Sequence, residues 1–221
     1  MLFRDRKEAG SRLGKALLSF KGRDVIVLGI PRGGVVVASE VAKALGAPLD
    51  IVVTRKIGAP GQEEYGIGAV TQEGDIILDR RAAESVGASE EYLSSEAERK
   101  KDEVRERVAG LRGQAPYPDL GGKIVIIVDD GIATGRSVAA AVMSVKKRKP
   151  ARVVVAVPVA PSEARGILQE VGAELVCLET PWTFFAIGEF YGNFQQVDEA
   201  EVKHILAERW AESAGAAGRG D

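Results

Sequence analysis

The chain has 221 residues, of which 45% are hydrophobic and 28% charged, and its formal net charge is −2. This length allows one sizeable core with an appended subdomain and leaves little room for a second domain of typical size. A charge so close to neutral gives no general attraction to nucleic acid or to an anionic membrane, so we expect neither as a partner.

The cysteine and histidine content narrows the possible chemistry further. The single cysteine, Cys177, excludes a framework of internal disulfides and indicates a reducing compartment. His204 is the only histidine, so Ser-His-Asp, Cys-His and histidine-rich zinc sites lack their parts. Without a visible signal peptide or an apolar segment of transmembrane length, we expect a cytoplasmic protein. Any chemistry must then use carboxylates, cations and a diffusible metal.

The first strand-loop-helix unit is predicted near the N-terminus. Residues 24–30 have the pattern of a strand, a Pro-Arg-Gly-Gly sequence breaks it, and residues 35–45 continue with helical spacing. Arg32 beside glycines that expose backbone amides at a helix N-terminus suits a diphosphate, whereas a Pro-Gly turn with a surface arginine is the alternative. The residues expected to bind diphosphate are Pro31, Arg32, Gly33 and Gly34.

A second strand, predicted over residues 49–54, leads into the basic pair Arg55 and Lys56. The segment that follows, residues 57–66, combines many glycines with charges of both signs, which is typical of a mobile loop or an open hairpin. We interpret this segment as a flexible lid, and a solvated hairpin is the alternative. The expected lid residues are Glu64, Tyr65 and Gly66.

Residues 79–122 form an insertion between the lid and the next strand. Most of the insertion is predicted to be a helix over residues 90–111. Glu96 and Lys100, and likewise Glu103 and Arg107, stand four residues apart on this helix and are expected to form ion pairs. We expect the insertion to serve shape or assembly rather than chemistry.

The most informative segment follows the continuous β-branched run 124–128, which suits a parallel strand covered on both faces by helices. Asp129 and Asp130, here called the acidic pair, end this strand, and a helix is predicted over residues 138–149. Amides and hydroxyls at a helix N-terminus suit phosphate oxygens, and carboxylates accept hydrogen bonds from the vicinal hydroxyls of a ribose. The segment therefore favours a pentose 5-phosphate. The expected phosphate-binding residues are Gly131, Ile132, Ala133, Thr134, Gly135, Arg136 and Ser137.

Spacing excludes two other nucleotide-binding motifs. A Walker A loop has four residues between its two glycines, and Lys and then Ser or Thr follow the second glycine. Here only three residues separate Gly131 from Gly135, and Arg136 stands in the place of the lysine. The sequence 66–68 lacks the third glycine of a dinucleotide fingerprint and does not open a helix. An ordinary strand-loop-helix turn with acidic capping residues is the alternative for residues 129–137.

The alternation of strands and helices continues with strands over 153–157 and 174–178 around a helix over 163–171. The right-handed crossover rule then predicts an α/β fold with a doubly wound, mostly parallel sheet. All the loops considered above follow strands, at the edge where open parallel sheets bind ligands. We treat residues 1–221 as a single domain.

Aromatic residues concentrate in the C-terminal segment 179–221, although the chain is only 5% aromatic. Such rings can stack on a flat base, and a small satellite core packed by the same rings is the alternative. Asp198 and Glu201 have capping-box spacing at the start of a final helix with Trp210 on one face, and this helix is expected to pack onto the aromatic segment or the N-terminal segment. The rings proposed to bind an acceptor are Trp182, Phe184 and Phe185.

The segment 124–137, with its apolar strand, Asp-Asp, three residues, Thr-Gly, one residue and Ser, resembles the signature of the type I phosphoribosyltransferases. The resemblance implies that the loop 131–137 binds the 5-phosphate of phosphoribosyl pyrophosphate (PRPP) and that the acidic pair holds its 2- and 3-hydroxyls. The loop 31–34 is similar to the family's pyrophosphate loop, in which a strained or cis peptide is often found. Residues 55–66 resemble its catalytic loop, and residues 179–221 correspond to the variable hood that holds the acceptor.

This resemblance implies transfer of the 5-phosphoribosyl group of PRPP to a nitrogenous base or similar acceptor, with release of pyrophosphate. We expect Mg²⁺ as the cofactor, bridging the diphosphate and the ribose hydroxyls, with the acidic pair as candidate ligands. The acidic pair would stabilise positive charge at the anomeric carbon, cations would neutralise the leaving group, and the lid would exclude water. The partners are PRPP and a small-molecule acceptor, and a homodimer is compatible with this interpretation. The residues expected to be catalytic are Asp129, Asp130, Arg55 and Lys56.

The identity of the acceptor is constrained at one position. Ala133 stands where 6-oxopurine phosphoribosyltransferases have an aspartate, which disfavours hypoxanthine and guanine. A regulatory protein that senses PRPP or a nucleotide without turnover is the alternative function, although no helix-turn-helix pattern or basic DNA-binding face is visible. A hydrolase acting on a phosphorylated sugar would need a water-activating base that the sequence does not identify.

Overall fold

The structure is a computed structural model that describes residues 2–113 and 115–217. Within these ranges, no helix combines the length and the apolar character that crossing a membrane requires. The helices and strands in chain order are α1 (Arg6–Ala16), β1 (Val25–Gly29), α2 (Gly33–Leu45), β2 (Leu49–Ile51), β3 (Arg55–Ala59), β4 (Gln62–Val70), β5 (Ile76–Leu78), α3 (Arg80–Ser85), α4 (Glu90–Arg112), β6 (Ile124–Val128), α5 (Arg136–Lys146), β7 (Arg152–Val159), α6 (Ala164–Glu170), β8 (Glu174–Glu179) and α7 (Glu199–Ala217).

The main sheet contains five parallel strands in the order β2-β1-β6-β7-β8. Val27 of β1 pairs with Ile126 of β6, which pairs in turn with Val154 of β7. The strand order reverses between β1 and β6, and open α/β sheets bind ligands at the carboxyl ends of the strands at such a point. The predicted doubly wound parallel sheet is confirmed.

Helices cover both faces of this sheet. Val27 and Ile126 face a core that includes α1, α2 and α7, whereas Leu28 and Ile127 face a core formed with α5 and α6. Successive residues of a strand point to opposite faces, so burial on both sides requires an uninterrupted apolar run. The β-branched run 124–128 meets this requirement and forms the central strand.

The segment expected to be a lid belongs to a second, antiparallel sheet in the order β3-β4-β5. Ala59 pairs with Gln62 across a turn in which Gly61 has a φ of 70°. The side chain of Tyr92 on α4 donates a hydrogen bond of 2.9 Å to the carbonyl of Gly58. The glycine-rich stretch is therefore a paired hairpin that contacts α4. Of the two forms expected from the sequence, a mobile loop or a hairpin, the structure has the hairpin.

The ion pairs that α4 makes differ in part from those that the spacing of its charged residues predicts. The carboxylate of Glu103 lies 3.4 Å from the guanidinium of Arg55 on β3, and Arg107 lies 2.8 Å from Glu199 on α7. Glu103 also pairs with Arg99 at 2.8 Å and with Lys100 at 2.9 Å on α4 itself, so the expected pair with Arg107 is absent, whereas the expected pair between Glu96 and Lys100 forms at 3.8 Å. An i,i+4 pair on a helix contributes only a few tenths of a kcal/mol, roughly, so other partners readily displace it.

The final helix begins as predicted but packs elsewhere. Asp198 accepts a hydrogen bond of 2.7 Å from the backbone N–H of Glu201. The indole N–H of Trp210 donates to the carbonyl of Leu49 at 2.9 Å, so the ring packs on β2. The helix packs against α2, α4 and β2 rather than on the aromatic segment, and the edge strand β2 offers the indole a carbonyl acceptor.

Candidate active site

The carboxyl ends of β1 and β6 bring the loop 31–34 directly against the acidic pair. A Cβ atom on Gly34 would lie 2.7 Å from Oδ1 of Asp129 and 2.8 Å from the carbonyl oxygen of Val128. A Cβ atom on Gly33 would overlap Oδ2 of Asp130. Both glycines therefore allow an approach that any other residue would block, and the loop and the acidic pair form one surface.

The loop 31–34 ends at the start of α2. The peptide bond between Pro31 and Arg32 is cis. Arg32 is the N-cap residue of α2, and the helix begins at Gly33. The first backbone N–H groups of a helix lack intrahelical partners and attract anions. This end of α2 thus combines unpaired amides with an arginine.

Both residues of the acidic pair are half-buried, with 13% of the Asp130 side chain exposed, and the pKa values of their carboxyl groups change accordingly. Burial raises the pKa of Asp129 well above its usual range, and the neighbouring Asp130 raises it further. Burial also raises the pKa of Asp130, whereas a hydrogen bond from Arg6 opposes the rise. The backbone N–H of Asp130 donates to Oδ1 of Asp129 at 2.8 Å. Two adjacent buried carboxyls resist carrying two negative charges at once.

Arg6, the first residue of α1, contacts the acidic pair and was not identified from the sequence. Its Nε donates to Oδ2 of Asp130 at 2.7 Å, and its Nη1 donates to the carbonyl of Gln195 at 2.8 Å. Its guanidinium carbon lies 3.9 Å from the ring centroid of Phe194. Arg6 and Asp130 are separated by 124 residues in the sequence, so no local pattern connects them.

The start of the loop 131–137 contacts β7 and Ile187 of the C-terminal segment, and its end leads into α5. A Cβ atom on Gly131 would lie 2.7 Å from a methyl carbon of Ile187, and the N–H of Ile132 donates to the carbonyl of Val159 at 2.9 Å. Gly135 has a φ of 74° and is the N-cap residue of α5. The other residues of the loop are exposed and available to a ligand: Ala133, Thr134, Arg136 and Ser137.

The β3–β4 hairpin lies against this loop. Arg136 donates a hydrogen bond to the carbonyl of Gly66, and its guanidinium carbon lies 5.2 Å from the ring centroid of Tyr65. The backbone of Glu64 belongs to the same strand, β4. The three residues expected in the lid are therefore on one strand, and two of them contact the loop 131–137 through Arg136.

Arg55 on β3 and Arg107 on α4 bring positive charge near Arg32 of the loop 31–34. Arg55 and Lys56 begin β3. Arg107 on α4 has a side chain only 15% exposed, and burial lowers its pKa, with further lowering by Arg55 and Arg32. A concentration of guanidinium groups suits a polyanion such as diphosphate. Arg107 lies in the insertion, for which no chemical role was expected, and the sequence did not identify it as a candidate site residue.

The aromatic residues of the hood differ in their environments. Trp182 and Phe185 are exposed to solvent, whereas the ring centroid of Phe184 lies 5.3 Å from that of Phe190 within a small hydrophobic cluster. The hydroxyl of Tyr191 donates to the backbone carbonyl of Asp130 at 2.6 Å. Phe184 thus fits the satellite-core interpretation, and Tyr191 is the hood ring that bonds to the acidic pair.

Comparisons with known proteins agree with this architecture. The family model for the phosphoribosyl transferase domain matches residues 7–190. Proteins from two strains of Mycobacterium tuberculosis, CDC 1551 and H37Rv, provisionally named phosphoribosyl transferases, are each 39% identical over 205 residues. The match covers 93% of this chain and 46% of each relative, so the chain spans about half the length of these curated relatives.

A solved structure resembles the whole fold. The crystal structure of TT1426 from Thermus thermophilus is 45% identical, with a TM-score of 0.82 over 94% of this chain and 99% of that protein. The family match runs from the first turn of α1 to Phe190, so the acidic pair and the loops around it lie inside it. The chain belongs to the type I phosphoribosyltransferase family.

Proposed function

We propose that this protein transfers the 5-phosphoribosyl group of PRPP to a nitrogenous base or a similar acceptor and releases pyrophosphate. The observation that carries the proposal is the contact of Gly33 and Gly34 with the acidic pair, at the strand end from which the loop 131–137 begins. This arrangement offers separate binding groups for the diphosphate, the ribose hydroxyls and the 5-phosphate of one molecule.

The diphosphate would lie at the N-terminus of α2. Amides at this helix end and the guanidinium of Arg32 suit its oxygens, and Arg55, Lys56 and Arg107 add positive charge nearby. These cations stabilise the leaving group as negative charge develops on it. The 5-phosphate would bind the exposed part of the loop 131–137, at the N-terminus of α5.

The acidic pair would hold the ribose hydroxyls and stabilise the transition state. Loss of pyrophosphate leaves positive charge near the anomeric carbon, and buried carboxylates interact with such charge more strongly than carboxylates in water. The raised pKa values of the pair follow from the same burial. A nearby positive charge favours the ionised form of these groups, so their effect is greatest in the transition state.

The donor set around the acidic pair fits Mg²⁺ only in combination with a ligand. Among the described residues, no group of three or more His, Cys, Asp or Glu side chains could hold a metal ion. Mg²⁺ commonly binds through one or two carboxylates together with substrate phosphates, and Asp129 and Asp130 supply the carboxylate part. When bound, Mg²⁺ would neutralise charge on the diphosphate.

The hairpin and the hood would enclose the reacting groups. Tyr65 and Gly66 contact Arg136, so closure of the β3–β4 hairpin over PRPP would exclude water from the 5-phosphate side. The hood, residues 179–221, would hold the acceptor. Ala133, in place of the aspartate of 6-oxopurine enzymes, disfavours hypoxanthine and guanine as that acceptor.

The test of this proposal is calorimetric titration with PRPP, with and without Mg²⁺. We expect the wild-type chain to bind PRPP and the variant Asp129→Asn/Asp130→Asn to bind it at least about tenfold more weakly, because hydrogen bonds to charged groups contribute roughly 1.5–3 kcal/mol. Asp24→Asn is the matched control, since Asp24 is an exposed carboxylate at the other end of β1 that pairs with Lys123.

Two results would count against the proposal. Equal PRPP affinity in the wild-type chain and the double variant would remove the acidic pair from the site. A screen for pyrophosphate release across purine and pyrimidine bases then examines turnover. Binding of PRPP without release on any acceptor would favour the sensor over the enzyme.

A further inference from the structure

Arg6 connects the acidic pair to the hood, and we infer that it is a positioning residue that holds Asp130 in place for PRPP and offsets part of the pair's negative charge. The inference rests on the proposed function, since it assigns a role within the same site. Nothing in the sequence near the acidic pair points to Arg6, which lies at the start of the first helix.

The guanidinium of Arg6 is constrained on three sides. Its edge donates to Asp130 and to the carbonyl of Gln195, and its face covers the ring of Phe194. The side chains of Arg6 and Asp130 are only 11% and 13% exposed. A planar guanidinium with fixed donors on its edge and a ring on its face orients its partner more closely than a flexible ammonium group would. Asp130 therefore has a defined orientation before any ligand binds.

Arg6 also compensates the negative charge of the acidic pair. PRPP is a polyanion, and a pair of adjacent carboxylates repels it unless a cation compensates them. Arg6 is the cation that contacts Asp130, and its charge acts on both members of the pair. With Arg6 in place, the pair can accept hydrogen bonds from ribose hydroxyls while presenting less net negative charge to the phosphates.

Arg12 provides a matched comparison on the same helix. It also contacts a carbonyl, carboxylates and a ring: it donates to the carbonyl of Leu2 at 2.9 Å, lies 3.5 Å from Glu179 and 3.7 Å from Glu8, and covers the ring of Phe3 at 4.7 Å. Its carboxylate partners stand at the end of β8 and on α1, not in the acidic pair. If Arg6 only stabilised the packing of α1, loss of Arg6 and loss of Arg12 would change the affinity for PRPP in the same way.

The first experiment measures PRPP affinity by calorimetry for Arg6→Ala, Arg6→Lys and Arg12→Ala in the full chain. We expect Arg6→Ala to weaken binding by about tenfold or more, the size expected for loss of a hydrogen bond between charged groups. Arg6→Lys should recover part of the loss because it keeps the charge but lacks the planar fork. Arg12→Ala should stay within about twofold of wild type, since mutations without shared partners act independently.

A double-mutant cycle with Asp130→Asn separates positioning from general support of the fold. If Arg6 acts through Asp130, Arg6→Ala should cost clearly less affinity in the Asp130→Asn background than in the wild-type background, because the positioned carboxylate is already lost and only the effect of the Arg6 charge on Asp129 remains. An equal loss in both backgrounds would overturn the inference, as would wild-type affinity in Arg6→Ala. The cycle also covers poor folding of the single variant, because Arg6→Ala/Asp130→Asn removes the carboxylate that Arg6→Ala alone would leave without its hydrogen-bonded counter-charge.

The wild-type chain distinguishes failure of this inference from failure of the proposed function. A wild-type chain that does not bind PRPP overturns both. A wild-type chain that binds PRPP, together with an Arg6→Ala variant that binds it equally well, overturns the role of Arg6 alone.

Discussion

Close approach of backbone segments restricts which residues can stand at individual positions of the candidate site. Gly34 lies against the main chain of β6, where the nearest atoms to an added Cβ include Cα of Asp129 and the carbonyl of Val128. Backbone atoms cannot rotate aside as a side chain can, so a substitution there must move a whole segment. Gly110 on α4, by contrast, has no atom within 4 Å of an added Cβ.

We expect opposite effects from alanine at these two helical glycines. Gly34→Ala should lower the free energy of unfolding by about 1–3 kcal/mol through overpacking and should displace the acidic pair. Gly110→Ala should raise it by about 0.5–1 kcal/mol, because alanine loses less backbone entropy in a helix. Urea unfolding of both variants measures the difference. A neutral or stabilising Gly34→Ala would contradict the close approach.

At the scale of elements, the first turn of α1 sets the position of Arg6. Oδ1 of Asp5 accepts a hydrogen bond of 2.8 Å from the backbone N–H of Glu8 and so caps the helix. This hydrogen bond lowers the pKa of Asp5. Ser89 caps α4 in the same manner, accepting from the N–H of Tyr92 at 3.1 Å, but it does not titrate in this range. Comparing these two capping residues therefore tests how much the charge of Asp5 contributes to capping.

We expect Asp5→Ala and Ser89→Ala each to lower the free energy of unfolding by about 1 kcal/mol at pH 7. The folded pKa of Asp5 lies below the unfolded value of about 3.9, so its contribution is complete above that value and is lost as the pH falls through the folded pKa. Denaturant unfolding at pH 7 and pH 3 should show the Asp5→Ala difference shrinking and the Ser89→Ala difference unchanged. A constant Asp5→Ala difference would refute the assigned capping charge.

At the scale of the whole molecule, a buried ion pair joins α4 to the edge of the main sheet. Arg112 donates two hydrogen bonds of 2.8 Å to Asp50 of β2, and both side chains are buried. Arg112 also donates to the carbonyls of Ala115 and Pro116 at 2.9 and 2.7 Å. This pair holds the helix that presents Arg107 and Glu103 beside the candidate diphosphate site.

Breaking this pair should be strongly destabilising. Arg112→Met should lower the free energy of unfolding by about 3–5 kcal/mol, because it leaves the carboxylate of Asp50 buried without a counter-charge. Arg112→Met/Asp50→Asn should recover a large part of the loss, since the amide is neutral. Arg105→Met is the control, because Arg105 makes an exposed pair with Asp102 and should change stability by less than about 0.5 kcal/mol. A loss in Arg112→Met no larger than that of the control would show that the pair does not anchor α4.

Local patterns in the sequence predicted the main sheet well. The run 124–128, the loop after it and the start of α5 are contiguous, so their strand, turn and helix tendencies can be interpreted together. The same holds for residues 25–45. The antiparallel sheet over residues 55–78 was less predictable, because its glycine-rich strands lack regular alternation of apolar and polar residues.

The sequence by itself determined that this is a doubly wound parallel fold of the type I phosphoribosyltransferase family and where the acidic pair and its loops lie, because each of these features is written in adjacent residues. Only the tertiary structure decided that Arg6 and Tyr191 bond to Asp130 and that Arg107 lies among the site's cations. Those contacts join α1, α4 and the hood to strand ends far away in the chain. They depend on how whole elements pack, which no local pattern of residues encodes.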